Sequence, residues 1–248
     1  MKTKFFYFAA AAMMLAACSN DESVNEVAND NIISLTASVA GASTTRAGVD
    51  VQSTAFEENE LIKVECTIGE STTPKVYKAG AATSNVNTLT VNEGTAFTWP
   101  ASGTIALKAF YPSTVNSSAT EFAVQENQTE ATSYKASDLM YSTPIADQAK
   151  QSAAVGLTFK HALTKIIVNL TAGTGMSDTD IAACTVTLSA KKTVGISNGQ
   201  VPETPVPSGD AATITMGTGS GVAAIIVPQT IAASTNFITI RPIAHFAG

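Results

Sequence analysis

Apolar and polar residues alternate through most of the chain with a period of two. In the first such segment, residues 32–40, four apolar residues occupy one face and hydroxyl side chains occupy the other, as in a half-buried β-strand. The four apolar residues are Ile33, Leu35, Ala37 and Val39. The alternation predicts that the protein is built from strands.

Ten later segments share this alternation, with turn-forming Gly, Pro, Asn, Asp and Ser between them. They read LIKVECTIG, KVYKA, NTLTV, TIALKAFYP, EFAVQ, VGLTFKHALTKIIVNL, CTVTLSA, TITMG, VAAIIVP and FITIRPIAHF. Only residues 147–154 and 177–183 predict a turn or two of helix, the second capped by Ser177 or Asp178. Many short strands predict an all-β sandwich, and the chain length predicts two in tandem, joined near residues 150–154.

The N-terminus has the features of a secretion signal. Lys2 and Lys4 precede an apolar segment, Phe5 to Ala17, that is too short to cross a bilayer, for which about 20 residues are needed. The sequence Leu-Ala-Ala-Cys ending at Cys18 resembles a bacterial lipobox. The resemblance implies a lipoprotein signal peptide over residues 1–17 and a lipidated Cys18 that anchors the mature protein. The alternatives are an ordinary signal peptide with a chance cysteine and an uncleaved anchor.

The segment after this signal, residues 18–31, is acidic and contains no basic residue. A segment of this composition cannot bury enough apolar surface to become ordered, so we predict that it is a tether. In some Gram-negative lipoproteins, acidic residues just after the cysteine mark export to the cell surface. By analogy, Asp21 and Glu22 indicate a surface-exposed protein anchored in the outer membrane.

Composition excludes one class of function. Charged residues make up 14% of the chain, and the net charge of −6 with a pI near 4.9 gives no electrostatic basis for nucleic-acid binding. Besides Cys18, the cysteines are Cys66 and Cys184, each in an alternating apolar segment. An oxidising exterior permits a disulfide, but we expect two buried free thiols in different domains.

The sequence contains no pattern typical of an enzyme or of a metal or cofactor site. His161 and His245 accompany no nucleophile and have no metal-binding spacing, and we expect His161 to be a hydrogen-bonded structural residue. The glycine-rich residues 216–221 precede no helix, so they predict a loop between strands and not a phosphate site. Trp99, at a strand end, is expected in the core more often than as a sugar-stacking ring. We predict no catalytic residue, no metal and no cofactor.

The order of several segments resembles the fimbrillin family, the lipoprotein pilins of type V pili. After the lipobox these segments are ISLTASV, TTRAG, FTWPASGTIALKAFYP, ASDLMYS, VGLTFKHALTKIIVNL and IIVPQTI. The resemblance implies two tandem transthyretin-like β-sandwich domains, residues 32–151 and 152–248. It also implies export as a lipidated precursor and assembly with other pilin subunits into fimbriae for adhesion.

Within that family, a trypsin-like protease cuts after an exposed arginine that follows the first strand. The matching bond joins Arg46 and Ala47, in a loop at residues 41–48 whose small polar residues suit a protease independently of the family. Cleavage would release the lipid anchor together with the strand at residues 32–40. A strand from a neighbouring subunit would then fill the groove by β-augmentation. The displaced side chains are Ile33, Leu35, Ala37 and Val39.

The C-terminus departs from the family pattern. Fimbrillins usually continue past a glycine such as Gly248 into further strands, so the second domain is expected to be incomplete, with an unpaired edge. The sequence identifies no donor strand, and it leaves the shaft, anchor and tip roles open.

Two other classes of function remain as alternatives. A surface glycan-binding lipoprotein shares the lipobox, the tether and the tandem sandwiches, but it needs exposed aromatic platforms. A cell-surface hydrolase needs paired carboxylates in a cleft. The candidate carboxylates lie in turn-like segments where Asp commonly caps; they are Asp138, Asp147, Asp178, Asp180 and Asp210.

Overall fold

The structure is a computed structural model that describes residues 31–40, 54–233 and 235–242. Strands dominate these residues, and the two helices among them are short. The predicted all-β class is therefore confirmed. The finer prediction of two transthyretin-like domains stays a prediction.

The strands mostly coincide with the alternating segments. In chain order the elements are β1 (Leu35–Val39), β2 (Leu61–Ile68), β3 (Ser71–Thr83), β4 (Val86–Val91), β5 (Ile105–Tyr111), β6 (Glu121–Ala123), α1 (Ala131–Ala136), β7 (Met140–Ser142), β8 (Ile145–Gln148), β9 (Val155–His161), β10 (Thr164–Val168), α2 (Asp178–Ala183), β11 (Thr185–Gly195), β12 (Pro207–Thr218), β13 (Val222–Ile226) and β14 (Ile238–Arg241).

The first sheet closes on itself. Its strand order is β2-β3-β4-β1-β9-β7-β5-β8, and β5 also pairs with β2. The strands from β2 to β5 in that order therefore form a ring, here called the closed sheet, and β8 lies outside it. Every pairing in this sheet is antiparallel except that of β1 with β9, which is parallel.

Two smaller sheets, here called the open sheets, are built from the later strands. One pairs β10 with β13, and the other has the order β12-β11-β14. Strand β14 pairs with residues 185–188 of β11, and β6 pairs with residues 193–195 on the same strand. Neither open sheet closes on itself.

The alternation of apolar and polar residues explains where the core lies. Strand β9, for example, buries Val155, Leu157 and Phe159 and exposes the residues between them. One cluster of buried side chains fills the closed sheet and a second lies between the open sheets. Phe110 and Tyr141 belong to strands of the closed sheet but pack into the second cluster, so the two clusters are joined by shared strands.

The two predicted helical segments have different outcomes. Helix α2 is confirmed: the Ser177 side chain accepts a hydrogen bond from the Asp180 N–H, and the Asp180 carboxylate accepts one from the Ser177 N–H, which is a capping box. The hydrogen bond from the Ser177 N–H, and after it one from the Ser177 hydroxyl at 2.7 Å, lower the pKa of the Asp180 carboxyl group. The prediction for residues 147–154 is wrong, because β8 ends at Gln148 after pairing with β5 and no helix follows it.

Three described elements were not predicted. They are helix α1, which buries no residue, and the short strands β7 and β8. Strand β9 begins after the predicted boundary between residues 151 and 152, yet it pairs with β1 in the closed sheet. The core of the closed sheet therefore draws on residues from both sides of that boundary.

Candidate functional site

The first strand lies between two neighbours and has no free edge. Strand β1 pairs with β4, where Leu35 faces Leu89, and with β9, where Leu35 faces Val155. Its backbone N–H and C=O groups therefore bond on both sides, as in the centre of a sheet. Removal of β1 would leave two facing strands, β4 and β9, each with an unpaired edge.

One face of this strand is packed into the core of the closed sheet. Its four inward side chains are Ile33, Leu35, Ala37 and Val39, each exposed by 7% or less. Full burial of an aliphatic side chain of the size of Leu or Ile stabilises the folded state by about 1.5–3 kcal/mol. This face therefore supplies much of the free energy that holds β1 in the closed sheet. Thr36 and Ser38 point outward and are half-buried. Any strand that replaced β1 would need the same alternation.

Hydrogen bonds extend the strand at both ends. The Ile33 N–H donates to the Phe97 carbonyl at 2.9 Å, and the Trp99 N–H donates to the Asn31 carbonyl at 2.8 Å. At the other end, the Ala40 N–H donates to the Phe159 carbonyl at 2.7 Å. The whole described segment, residues 31–40, is therefore held by its neighbours.

The segment at Phe56 is anchored by contacts that include no side chain of β1. The Asn87 side chain accepts a hydrogen bond from the Phe56 N–H at 3.1 Å and donates to the Phe56 carbonyl at 3.0 Å and the Gly80 carbonyl at 2.7 Å. The Phe56 ring packs edge-on against Phe159, with ring centroids 4.9 Å apart. A cut between residues 41 and 53 would therefore leave these contacts in place while breaking the covalent link to β1.

Sequence reasoning missed this anchor. Asn87 is fully buried in β4, where asparagine is an unfavourable residue, and a buried amide requires hydrogen-bond partners. An asparagine inside a predicted strand was the only sign in the sequence of a buried, hydrogen-bonded side chain at this position. Its partner, Phe56, lies outside every predicted strand and has no comparable signal.

The other predicted site residues lie outside the described residues. They are the lipidation site Cys18 and the cleavage residues Arg46 and Ala47. Most of the tether and the signal peptide lie outside them as well, as does His245. The structure describes the strand before the predicted cleavage loop but not the scissile bond.

The remaining candidates are structural. The side chain of His161 is buried, and its Nδ1 lies 2.9 Å from Oδ1 of Asp138, which confirms a hydrogen-bonded histidine. Cys66 and Cys184 are both buried and free, as predicted. Burial raises the pKa of the Cys66 thiol, so its thiolate form is disfavoured. Residues 216–221 form the end of β12 and the turn into β13, which confirms a loop between strands.

Trp99 is a core residue. It is 3% exposed and belongs to the cluster inside the closed sheet, which confirms the core interpretation and excludes this ring as an exposed sugar platform. Its indole Nε1–H is buried and has no hydrogen-bond partner among the described residues. Since it is the sole tryptophan of the chain and lies beside the β1 slot, its fluorescence reports on that slot.

Two kinds of feature are absent from the described part of the chain. No helix there is both long enough and apolar enough to span a bilayer. In those same residues, no group of three or more His, Cys, Asp or Glu side chains is placed to hold a metal ion.

Comparison with protein families matches most of the chain. A family model described as fimbrillin-like matches residues 45–245. The match includes the predicted cleavage bond and every strand except β1. A comparison with curated proteins gave no significant match.

Solved structures resemble the fold. A protein of Bacteroides uniformis assigned to cell adhesion aligns with a TM-score of 0.63 and 22% identity, covering 86% of this chain and 79% of that one. A Bacteroides ovatus protein with the same assignment aligns with a TM-score of 0.56 and 15% identity, covering 81% of this chain and 79% of that one. At these identities the resemblance concerns the fold alone.

Proposed function

The chain belongs to the fimbrillin-like family, and we propose that it is a fimbrial subunit whose first strand is exchanged for a strand of a neighbouring subunit. The observation that carries the proposal is the position of β1. It is the first strand in the described sequence, it is central in the closed sheet, and it is joined to the following strands only through residues 41–53. The assigned role of the similar structures, cell adhesion, agrees with a role at the cell surface.

Proteolysis is the step that would free the strand. Cleavage between Arg46 and Ala47 separates β1 from the segment anchored at Phe56, so the rest of the closed sheet keeps its connection to the open sheets. The slot then exposes the edges of β4 and β9 and the apolar side chains that covered β1. A donor strand that runs parallel to β9 and antiparallel to β4, with apolar residues at alternate positions, restores both ladders.

Lipidation and location follow from the N-terminal sequence. We propose that Cys18 carries the lipid, that residues 1–17 are removed, and that the acidic tether holds the precursor on the outside of the outer membrane. The same cut that frees β1 then releases the subunit from its anchor. The role is structural, and the chain is proposed to have no enzymatic activity.

The two core clusters support a two-domain interpretation. We propose transthyretin-like N-terminal and C-terminal domains built around the closed sheet and the open sheets. Strand β9 packs with the N-terminal domain in this interpretation, because it is the parallel neighbour of β1.

The test compares cleavage and assembly in three forms of the full chain on cells. An arginine-specific protease is suited to it, because the chain has only two arginines, Arg46 and Arg241. For the wild type we expect a soluble form that begins at Ala47, by intact mass, and a ladder that resists SDS. Arg46→Ala should remain as the lipidated precursor without a ladder, and Arg241→Ala should behave as the wild type.

Trp99 fluorescence separates cleavage from strand exchange. Loss of β1 removes the backbone partner at Asn31, so the emission should shift to the red on cleavage and return on assembly. Normal release of Arg46→Ala would contradict the proposed maturation. A cleaved wild type that keeps its original emission and forms no ladder would contradict strand exchange.

A further inference from the structure

A pocket of about 480 Å³ lies away from the β1 slot, where the turn at residues 57–60 faces helix α1 and the open sheets. This volume lies in the range of small-molecule sites, about 300–1,000 Å³. Side chains from both core clusters line it, among them Tyr111 and Met140 of the first and Met216 of the second. Nothing in the proposed strand exchange uses this pocket.

One wall of the pocket is held by its own polar contacts. Nζ of Lys135 lies 2.6 Å from Oε2 of Glu57 and 3.2 Å from Oε1 of Glu60, and the Tyr111 hydroxyl donates to Oε1 of Glu60 at 3.0 Å. These contacts connect α1 to the turn at residues 57–60. The wall is therefore fixed before any ligand arrives, which lowers the entropic cost of binding.

Two further polar side chains line the pocket, Tyr134 from α1 and Lys165 from β10. In the described part of the chain, neither the Tyr134 hydroxyl nor the Lys165 ammonium makes a hydrogen bond or an ion pair, and Nζ of Lys165 lies 5.8 Å from the centre of the Tyr134 ring. Burial, followed by the nearby Asp138 charge, raises the pKa of Tyr134 to about 12, so its hydroxyl keeps its proton at neutral pH. A phenol can donate and accept, whereas an ammonium only donates.

The apolar part of the lining includes Met140, Met216 and Ala223. The carboxylates and ammonium groups of the lining number four and two, which leaves an excess of negative charge. They are Glu57, Glu60, Glu130, Asp138, Lys135 and Lys165. This excess disfavours anionic ligands, and the combination of donors, acceptors and apolar side chains matches a ring with several hydroxyls and an apolar C–H face.

We propose that this pocket binds a neutral sugar residue, with Tyr134 and Lys165 as the side chains that hydrogen-bond its hydroxyls. The site would give the subunit a glycan-binding activity in addition to assembly. Its relevance to adhesion rests on the proposed function, but binding itself does not, because the pocket is complete in the unassembled chain.

The test is calorimetric titration of the uncleaved full chain with the methyl glycosides of glucose, galactose, mannose and N-acetylglucosamine, and with galacturonate as the anionic counterpart. We expect saturable binding of at least one neutral glycoside. Tyr134→Phe and Lys165→Met should each weaken it at least tenfold. The matched control is Lys160→Met: its Nζ lies 5.0 Å from the centre of the Tyr141 ring, a similar contact outside the pocket lining. It should bind as the wild type does.

Thermal unfolding of each variant checks that the pocket mutants remain folded. The proposal is overturned if no neutral glycoside binds, if galacturonate binds as tightly as the best neutral glycoside, or if Lys160→Met weakens binding as much as Lys165→Met. Because the titration uses uncleaved monomer, its failure leaves the ladder experiment unaffected, and a missing ladder leaves the titration unaffected.

Discussion

The closed sheet and the open sheets differ in how the backbone N–H and C=O groups at strand edges find hydrogen-bond partners. In the closed sheet every strand of the ring has a strand on each side, so backbone groups pair mainly with backbone groups; the Ala109 N–H, which donates to the Ser142 hydroxyl, is an exception. In the open sheets two edges are completed by side-chain amides. In the proposed function, the closed sheet accepts an added strand after losing β1, whereas side-chain amides already occupy two edge positions of the open sheets.

Gln128 is the clearest of these amides. Its Nε2 donates to the Ile225 carbonyl at 2.8 Å, and its Oε1 accepts from the Ile225 N–H at 2.8 Å, so one side chain pairs with β13 as a strand would. Its own backbone N–H donates to the Thr215 carbonyl of β12 at 3.0 Å. A single residue therefore joins the two open sheets. Gln229 pairs with both backbone groups of Lys191 in the same way.

The largest expected effect comes from placing a charge inside the closed sheet. Ala37→Asp puts a carboxylate at a position with no exposed surface, where an uncompensated charge costs about 3–5 kcal/mol. We expect the free energy of unfolding in urea to fall by this amount. Hydrogen exchange should accelerate first in β4 and β9 and least in β11 and β12.

The matched control is Ser38→Asp, which puts the same group on the outward, half-buried face of the same strand. We expect a change of no more than about 1 kcal/mol there, as for most partly exposed positions. Equal losses from the two substitutions would contradict the burial argument for β1. Equal acceleration in all sheets would contradict the separation of the two regions.

An intermediate effect is expected at the junction of the open sheets. Gln128→Leu keeps the size of the side chain but leaves the Ile225 N–H and carbonyl unpaired, and each unsatisfied buried group costs about 1–3 kcal/mol. We expect the free energy of unfolding to fall by about 2–3 kcal/mol. The exposed neighbour Gln125 is the control, because its side chain makes no described hydrogen bond, and Gln125→Leu should leave stability almost unchanged. A loss at Gln128 no larger than at Gln125 would show that the amide does not replace a strand.

The smallest effect concerns the ion pairs between α1 and residues 57–60. Lys135→Met should cost no more than about 1 kcal/mol, because the Lys135 side chain is 33% exposed and solvent screens the pair. The hydrogen bond that Lys135 donates to the Glu57 carboxylate, opposed in part by burial, raises the pKa of Lys135. Its stabilisation is therefore complete below the pKa of an unfolded lysine and is lost as the pH rises through the folded-state pKa.

The measurement is the free energy of unfolding of the wild type and of Lys135→Met at neutral and alkaline pH, which tests the direction of this pH dependence. The difference between them should be constant near neutral pH and should disappear in strong alkali. A difference that grows with pH would mean that the ammonium destabilises the fold. Lys192→Met, which removes an exposed pair with Glu126, is the control for the general loss of one positive charge.

The alternation of residues predicted most strands because burial on one face of a sheet requires it. The inward face of β1 could be predicted for this reason, and the core position of Trp99 could be predicted from the cost of exposing a large ring. The strands that pair with β1 could not be predicted. Alternation gives the face of each strand but carries no information on which strand lies beside it.

The amides were beyond prediction for a different reason. Gln128 lies in an exposed polar segment. Its side-chain hydrogen bonds depend on the position of Ile225 in β13, which follows 97 residues later in the chain. The missed helix α1 buries no side chain, so it leaves no periodic pattern. The pocket combines side chains from distant segments, and no local spacing marks it.

The parallel ladder between β1 and β9 also constrains the order of folding. Leu35 pairs with Val155, and both ends of this contact must be synthesised before the ring can close. Contacts between residues so far apart form slowly, because the intervening chain must first be organised. Until β9 pairs with β1, one edge of β1 is unpaired and the ring is open. In the proposed function, a subunit that has lost this strand has the same unpaired edges on β4 and β9 as a chain in which β1 has not yet docked, and strand donation supplies the missing pairing from another molecule.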